Sequence, residues 1–319
     1  MPTKDSGGRI SVAAQRAMAG GPFRCMAGGV SQVRIINRAD RTDRLLLETP
    51  DLVEAPNWTP DGAALLLNGG GGLFRLDLAA APPALVPIPI GQVEDANNDH
   101  LVSPDGHTLY ISAGGAVYAL PVAGGEPDQL TPEGRVRFFL HGVSPDGRWL
   151  ACTTIDMGSV AGRWGIQLIP ADGGDPRTLI LGDRPVDGPE WSPDGEWIWF
   201  NGELDAEVPG HAQIYRMRGD GTGVERMTHG PEVDWFPHPS PDGRHVGFIR
   251  YPVGTTGHPV GRPVEIWLLS LANGTLARLA AFRGGQGSFN VNSWSPDGTR
   301  LAYVAYPPSP PTGTQEGLA

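Results

Sequence analysis

Apolar and polar positions alternate along this chain in short runs, and Gly, Pro, Asp or Asn closes each run before a helical period can build up. One set of β-rich runs falls at residues 63–67, 108–111, 149–153, 197–200, 245–249 and 301–305, and a second set follows at 73–76, 116–120, 165–169, 213–217 and 265–269. A third run, such as 178–180, comes after a further Gly-containing turn. Before each unit lies a strand ending at Trp58, Val102, Val143, Trp191, Pro239 or Trp294. Each unit therefore reads as four antiparallel strands.

One tetrapeptide spaces these units: Thr59-Pro60-Asp61-Gly62, then Ser-Pro-Asp-Gly beginning at Ser103, Ser144, Ser192, Ser240 and Ser295. Pro pre-sets φ at the first central turn position, Asp caps the local backbone and Gly supplies a positive φ, so the tetrapeptide is a hairpin turn. Counted from the first residue of each turn, the spacings are 44, 41, 48, 48 and 55 residues, the range of propeller blades. After the sixth turn only two strands fit, ending near Tyr306, while two more, at 33–37 and 44–48, precede the first unit. Two strands from each terminus complete one blade. The sequence thus predicts an all-β fold, a six-bladed β-propeller of four-stranded antiparallel blades, whose closure protects the last sheet edge. The propeller is expected over residues 31–306, with an N-terminal tail at 1–30 and a flexible, Pro-rich C-terminal tail at 307–319.

Composition agrees with this reading. Gly (46) and Pro (32) are too frequent for a helical bundle, yet 39% hydrophobic residues and nine Trp provide for a core. A net charge of −11 repels phosphate backbones and anionic lipid, which argues against nucleic-acid and membrane partners. The single lysine, Lys4, leaves no residue for Schiff-base or P-loop chemistry. Cys25 and Cys152 are too few for a disulfide framework. No stretch approaches the roughly 18 apolar residues of a membrane span. The apolar run from Ile10 to Met18 is broken by Gln15 and Arg16, unlike a secretion signal. A cytoplasmic location is expected, a periplasmic or secreted one following only if a native signal has been removed.

The segments Asn57-Trp58-Thr59-Pro60-Asp61-Gly62, Trp191-Ser192-Pro193-Asp194-Gly195 and Trp294-Ser295-Pro296-Asp297-Gly298 resemble the repeats of the TolB-like, PD40 (WD40-like) propeller family over about residues 31–306. The resemblance implies the fold, but such propellers serve transport complexes, binding modules, lyases and peptidases. TolB proper adds a secretion signal and an N-terminal α/β domain, which the thirty residues ahead of the propeller are not expected to hold, so the likeness is expected to be to the repeat family and not to TolB proper. A peptidase of the prolyl-oligopeptidase type needs an α/β-hydrolase domain and a Gly-x-Ser-x-Gly elbow, and neither is read in the chain.

In a propeller the first strand of each blade lines the central channel. Five places before each turn stand Glu54, Asn98, Phe139, Asp187, Trp235 and Asn290; three places before stand Pro56, His100, His141, Pro189, Pro237 and Asn292. The two sets share the parity of an extended strand and are expected to face the same way in most blades. Glu54, Asn98, Asp187 and Asn290 are oxygen donors from different blades, a composition that suits Ca²⁺ and equally suits hydrogen bonding around a wet channel. This ring resembles the axial calcium site of paraoxonase-type and gluconolactonase-type lactonases. His100, His141 and His238, with Glu190 in phase with His238, are candidate acid and base groups, or ligands for Zn, Mn or Fe. Gln286, in a Gly-rich segment, resembles the Gln of the metal-dependent oligogalacturonate lyases, without the ligand run that follows it there. The insert at 251–262 carries His258, a candidate lid residue.

The sequence thus favours an enzyme acting on a small polar metabolite (a lactone, sugar acid or similar) in the central channel, a hydrolase or lyase assisted by a divalent metal. The alternative is a non-catalytic scaffold binding a protein or carbohydrate partner on one propeller face.

Overall fold

The computed structural model describes residues 29–158, 163–257 and 259–308. Cys25, His258 and most of the two tails lie outside the described residues. In chain order, β1 (Ser31–Asn37) and β2 (Asp43–Thr49) are followed by five four-stranded blades. These are β3–β6 (Glu54–Trp58, Ala64–Gly69, Gly72–Asp77, Leu85–Ile88), β7–β10 (Ala96–Val102, Thr108–Ala113, Ala116–Pro121, Asp128–Gln129) and β11–β14 (Val136–Val143, Trp149–Asp156, Arg163–Pro170, Arg177–Gly182). Then come β15–β18 (Val186–Trp191, Trp197–Gly202, Gln213–Arg218, Glu225–Arg226) and β19–β22 (Val233–Pro239, His245–Tyr251, Arg262–Ser270, Leu276–Gly284). Last is β23 (Arg300–Ala305), which pairs with β1 as β1 pairs with β2. Trp294 bridges Leu301 on the inner side of β23, so the sixth blade joins the two N-terminal strands to β23 and to the inner segment at Trp294, closing the ring with chain from both termini as the sequence predicts. Among the described residues the helical content is one 3-10 turn, Gln286–Ser288.

The closure is fastened by side chains as well as by the ladder. Tyr303 Oη, from β23, donates to Asp43 Oδ2 of β2 at 2.7 Å, and Arg34 Nε of β1 reaches the same carboxylate at 3.1 Å.

Period-2 alternation places each blade against both neighbours. Leu301, Tyr303 and Ala305 of β23 join a core with Trp235, Ile249 and Ile266, while Ala302 and Val304, with Tyr306, join one with Leu65, Leu67 and Trp58. Central strands are therefore buried on both faces, each large side chain contributing about 1.5–3 kcal/mol.

The six turns behave as one module repeated. In each, the Ser or Thr hydroxyl donates to the Asp carboxylate, as Thr59 Oγ1 does to Asp61 Oδ1 at 2.6 Å, and the Asp accepts the backbone N–H two residues on, as from Ala63 at 3.0 Å. The turn glycines have φ between 65 and 79°, where a Cβ is strained. A Cβ on Gly62 would also lie 3.7 Å from Pro296, and one on Gly298 3.6 Å from Pro241, so each turn meets the proline of the turn before it around the ring.

Candidate active site at the propeller axis

The inner strands carry an irregularity at one recurrent position. In β3, β7, β11, β15 and β19 the register shifts within the last residues before the turn, between Glu54 and Asn57, Ala96 and His100, Leu140 and Gly142, Asp187 and Glu190, and Trp235 and His238. Four places before the turn, Ala55, Gly188 and Phe236 have φ of 54, 63 and 52°, the left-handed region. These bulges break strand parity. The expectation that residues five and three places before the turn face one way therefore fails in the second blade, where Asn98 borders the axial cavity and His100 does not.

That cavity, about 550 Å³, opens at the end of the channel opposite the Ser-Pro-Asp-Gly turns. Glu54, Asn98, Asp99, His141, Asp187 and Gln286 border it, with Phe139, Ile155 and Trp164 as apolar walls, and neither Lys nor Arg is among its lining residues. The fourth residue of the expected ring, Asn290, is fully buried beside it and donates from Nδ2 to Asp99 Oδ1 at 2.8 Å and to the Asn98 carbonyl at 3.0 Å. Its Oδ1 has no hydrogen-bond partner.

His141 is the charge centre of the site. Its Nε2 donates to Asp187 Oδ1 at 3.1 Å and lies 4.0 Å from Asp99 Oδ1, while Phe236 stacks on the ring at 5.8 Å between centroids. Asp187 Oδ1 also accepts from Thr153 Oγ1 and from the Gly188 N–H, both at 2.8 Å. Burial alone would push the imidazole down, but Asp99 and Asp187 overcome it and hold it up at about 9. Burial in turn pushes the Asp99 carboxyl up, against the pull of His141 and Asn290. Asp99 escaped the sequence-based ring because it stands four places before the turn. The signal available for it was the ligand-dense segment from Asp95 to His100, which reads equally as a turn.

The other two histidines stand elsewhere. His100 is completely buried, its Nε2 donating to the Leu66 carbonyl at 3.3 Å, and burial drives it down to about 4. His238 lies between Glu190, with Nδ1 to Oε2 at 2.5 Å, and the Phe289 carbonyl, 3.1 Å from Nε2. Glu190 also accepts from Asn292 Nδ2, and both residues border a separate cavity at the turn end of the channel. The three histidines thus share no common ligand. Among the described residues no group of three or more His, Cys, Asp or Glu side chains is arranged to hold a metal ion. Of the cysteines, Cys152 is free and buried, and burial pushes its thiol up, away from thiolate chemistry. No described helix is long and apolar enough to cross a membrane.

No protein-family model matches the chain. An uncharacterized protein of Agrobacterium fabrum is 40% identical over 284 residues, which is 87% of this chain and 93% of that protein. A solved structure from Agrobacterium tumefaciens, provisionally assigned as TolB, superposes with a TM-score of 0.81 at 40% identity, covering 88% of this chain and all of that one. An oligogalacturonate lyase in complex with manganese superposes with a TM-score of 0.55 at 14% identity over 81% of this chain and 75% of its own, a likeness of fold alone. The fold and its relatives define a six-bladed propeller of the TolB-like class. The chain belongs to that family.

Proposed function

We propose that the axial cavity is the active site of a hydrolase or lyase acting on a small polyhydroxylated metabolite, with His141 as its proton donor. The observation that carries this reading is the imidazole held between Asp99 and Asp187 at the cavity wall. A charged, oriented imidazole suits protonation of a leaving oxygen, and Asp187 orients the ring through Nε2. The lining favours a neutral ligand: carboxylates, carboxamides and the partnerless Asn68 Oδ1 accept hydroxyl protons, and Trp164 and Phe139 offer flat apolar walls. A lactone or neutral sugar meets this lining better than a sugar acid, whose carboxylate would face Glu54, Asp95 and Asp187.

A divalent cation changes that balance. Glu54, Asn98, Asp187 and the partnerless buried Asn290 Oδ1 are all hard oxygen donors, a set that fits Ca²⁺ better than Zn or Fe, which favour the histidines. When bound, such an ion would polarise a carbonyl oxygen or offset a substrate carboxylate. The test is turnover of a panel of lactones, neutral oligosaccharides and uronates by the wild type and by His141→Gln, with Ca²⁺ or with chelator. Turnover that falls at least 100-fold in His141→Gln, with folding retained, supports the reading. Undiminished turnover in that variant refutes it.

A specific feature supports a scaffold as the second reading. Val208 and Val253 are the two most exposed large apolar residues among those described, and with the exposed Val260 they stand on the hairpin loops of two neighbouring blades. A Cβ on Gly210 would lie 2.8 Å from Thr256, so these loops abut. An apolar rim of this kind suits a protein partner.

A further inference from the structure

The channel holds a second cavity, about 390 Å³, at the end formed by the Ser-Pro-Asp-Gly turns. Its lining shares only His141 with that of the axial cavity, so this side chain stands where the two meet. Its walls are apolar, with Val102, Val143, Trp294 and turn prolines such as Pro60 and Pro104. Charge at the wall is already answered. Glu190 takes His238 and Asn292, His141 is matched by Asp99 and Asp187, and neither Lys nor Arg is among the lining residues.

Besides Nδ1 of the shared His141, what is unanswered is one acceptor and one donor on neighbouring lining residues. Asn57 Oδ1 and Trp58 Nε1 are both buried without a hydrogen-bond partner, in residues 6% and 5% exposed. Asn57 is fixed in orientation because its Nδ2 donates to the Asn292 carbonyl at 2.7 Å. Unpaired buried polar atoms are unfavourable, and a ligand that pairs them gains that difference. A carboxamide carries one N–H donor face and one carbonyl acceptor in a single neutral planar group. We propose that the turn-end cavity is a second ligand site, taking a small neutral molecule that presents a carboxamide to Asn57 and Trp58 and an apolar substituent to the valine and proline walls. This site stands independently of the reaction assigned to the axial cavity.

The test is titration of the wild type with isobutyramide and with methyl isobutyrate, which keeps the carbonyl but lacks the N–H. Binding is followed on the indole N–H resonance of Trp58, assigned by its loss in Trp58→Phe. Isobutyramide is expected to shift that resonance saturably and to bind at least tenfold more tightly than the ester. Asn57→Ala is expected to erase the difference between the two probes. Val102→Phe, which fills the cavity and leaves both polar groups intact, is expected to abolish binding and decides the matter should Asn57→Ala fail to fold. No saturable shift, equal affinity for amide and ester, binding indifferent to Val102→Phe, or a response at Trp164 in place of Trp58 would overturn the proposal.

Discussion

Asp187 Oδ1 gathers three donors at once: His141 Nε2 at 3.1 Å, Thr153 Oγ1 and the Gly188 N–H at 2.8 Å. The left-handed Gly188 (φ 63°) makes the last of these contacts, and a Cβ there would meet Asn201 Oδ1 and Phe236 Cδ1 at 3.0 Å. The bulge in β15 thus aims the carboxylate, the carboxylate aims the imidazole, and Phe236 supports the ring from its face. A local backbone irregularity in one blade orients a side chain from another.

Removing the cation from this arrangement should be costly. His141→Ala leaves Asp99 and Asp187 as buried carboxylates without it, and a loss of about 3–5 kcal/mol in unfolding free energy is expected. Adding Asp187→Asn should recover part of that loss, and a double-mutant cycle by chemical denaturation measures the coupling.

The pH dependence of stability has two limbs with opposite signs. His100, held at about 4 against an ordinary value of about 6.5, stays neutral while the unfolded chain takes up a proton, so its contribution is present above pH 6.5 and is lost as pH falls towards 4. His141, raised to about 9, contributes below pH 6.5 and loses that contribution as pH rises through 9. Unfolding free energy measured from pH 4 to 10 should flatten on the acid side in His100→Gln and on the alkaline side in His141→Gln, each relative to the wild type.

The turn module predicts a smaller effect at the surface. Asp297 Oδ1 accepts from Ser295 Oγ at 2.5 Å and from the Thr299 N–H at 3.0 Å, and these bonds hold its carboxyl near 2. Asp297→Ala is expected to lower stability by about 1 kcal/mol and Asp297→Asn by less, since the amide oxygen still accepts. Denaturant midpoints of the two variants check the order.

Much of the fold was legible because the turn chemistry repeats: six Pro-Asp-Gly turns with four strands between them leave little but a closed propeller, and the termini supply the strands that close it. The site was only partly legible. Glu54, Asn98 and Asp187 do border one cavity, with Asn290 buried beside it. Strand parity misplaced His100, because the register shift between Ala96 and His100 leaves no composition signal, whereas His141 borders the cavity with Phe139 as parity expects and His238 was out of phase with both in the sequence. His100 and His238 accordingly stand in separate hydrogen-bonded environments, and Asp99 takes the place beside His141.

If the oxygen donors hold a cation, Ca²⁺ at about 100 times its dissociation constant should add about 2.7 kcal/mol to stability. The gain should disappear in Asp187→Asn and shrink in Glu54→Gln. Thermal unfolding with and without Ca²⁺ reads both.

The most direct test is the protonation state of His141 in protein freed of divalent cations. Nitrogen-15 imidazole spectra at pH 7.5, with the resonances assigned by His141→Gln, should show both ring nitrogens of His141 protonated, the state a proton donor between Asp99 and Asp187 requires. A neutral tautomer at that pH would contradict the account.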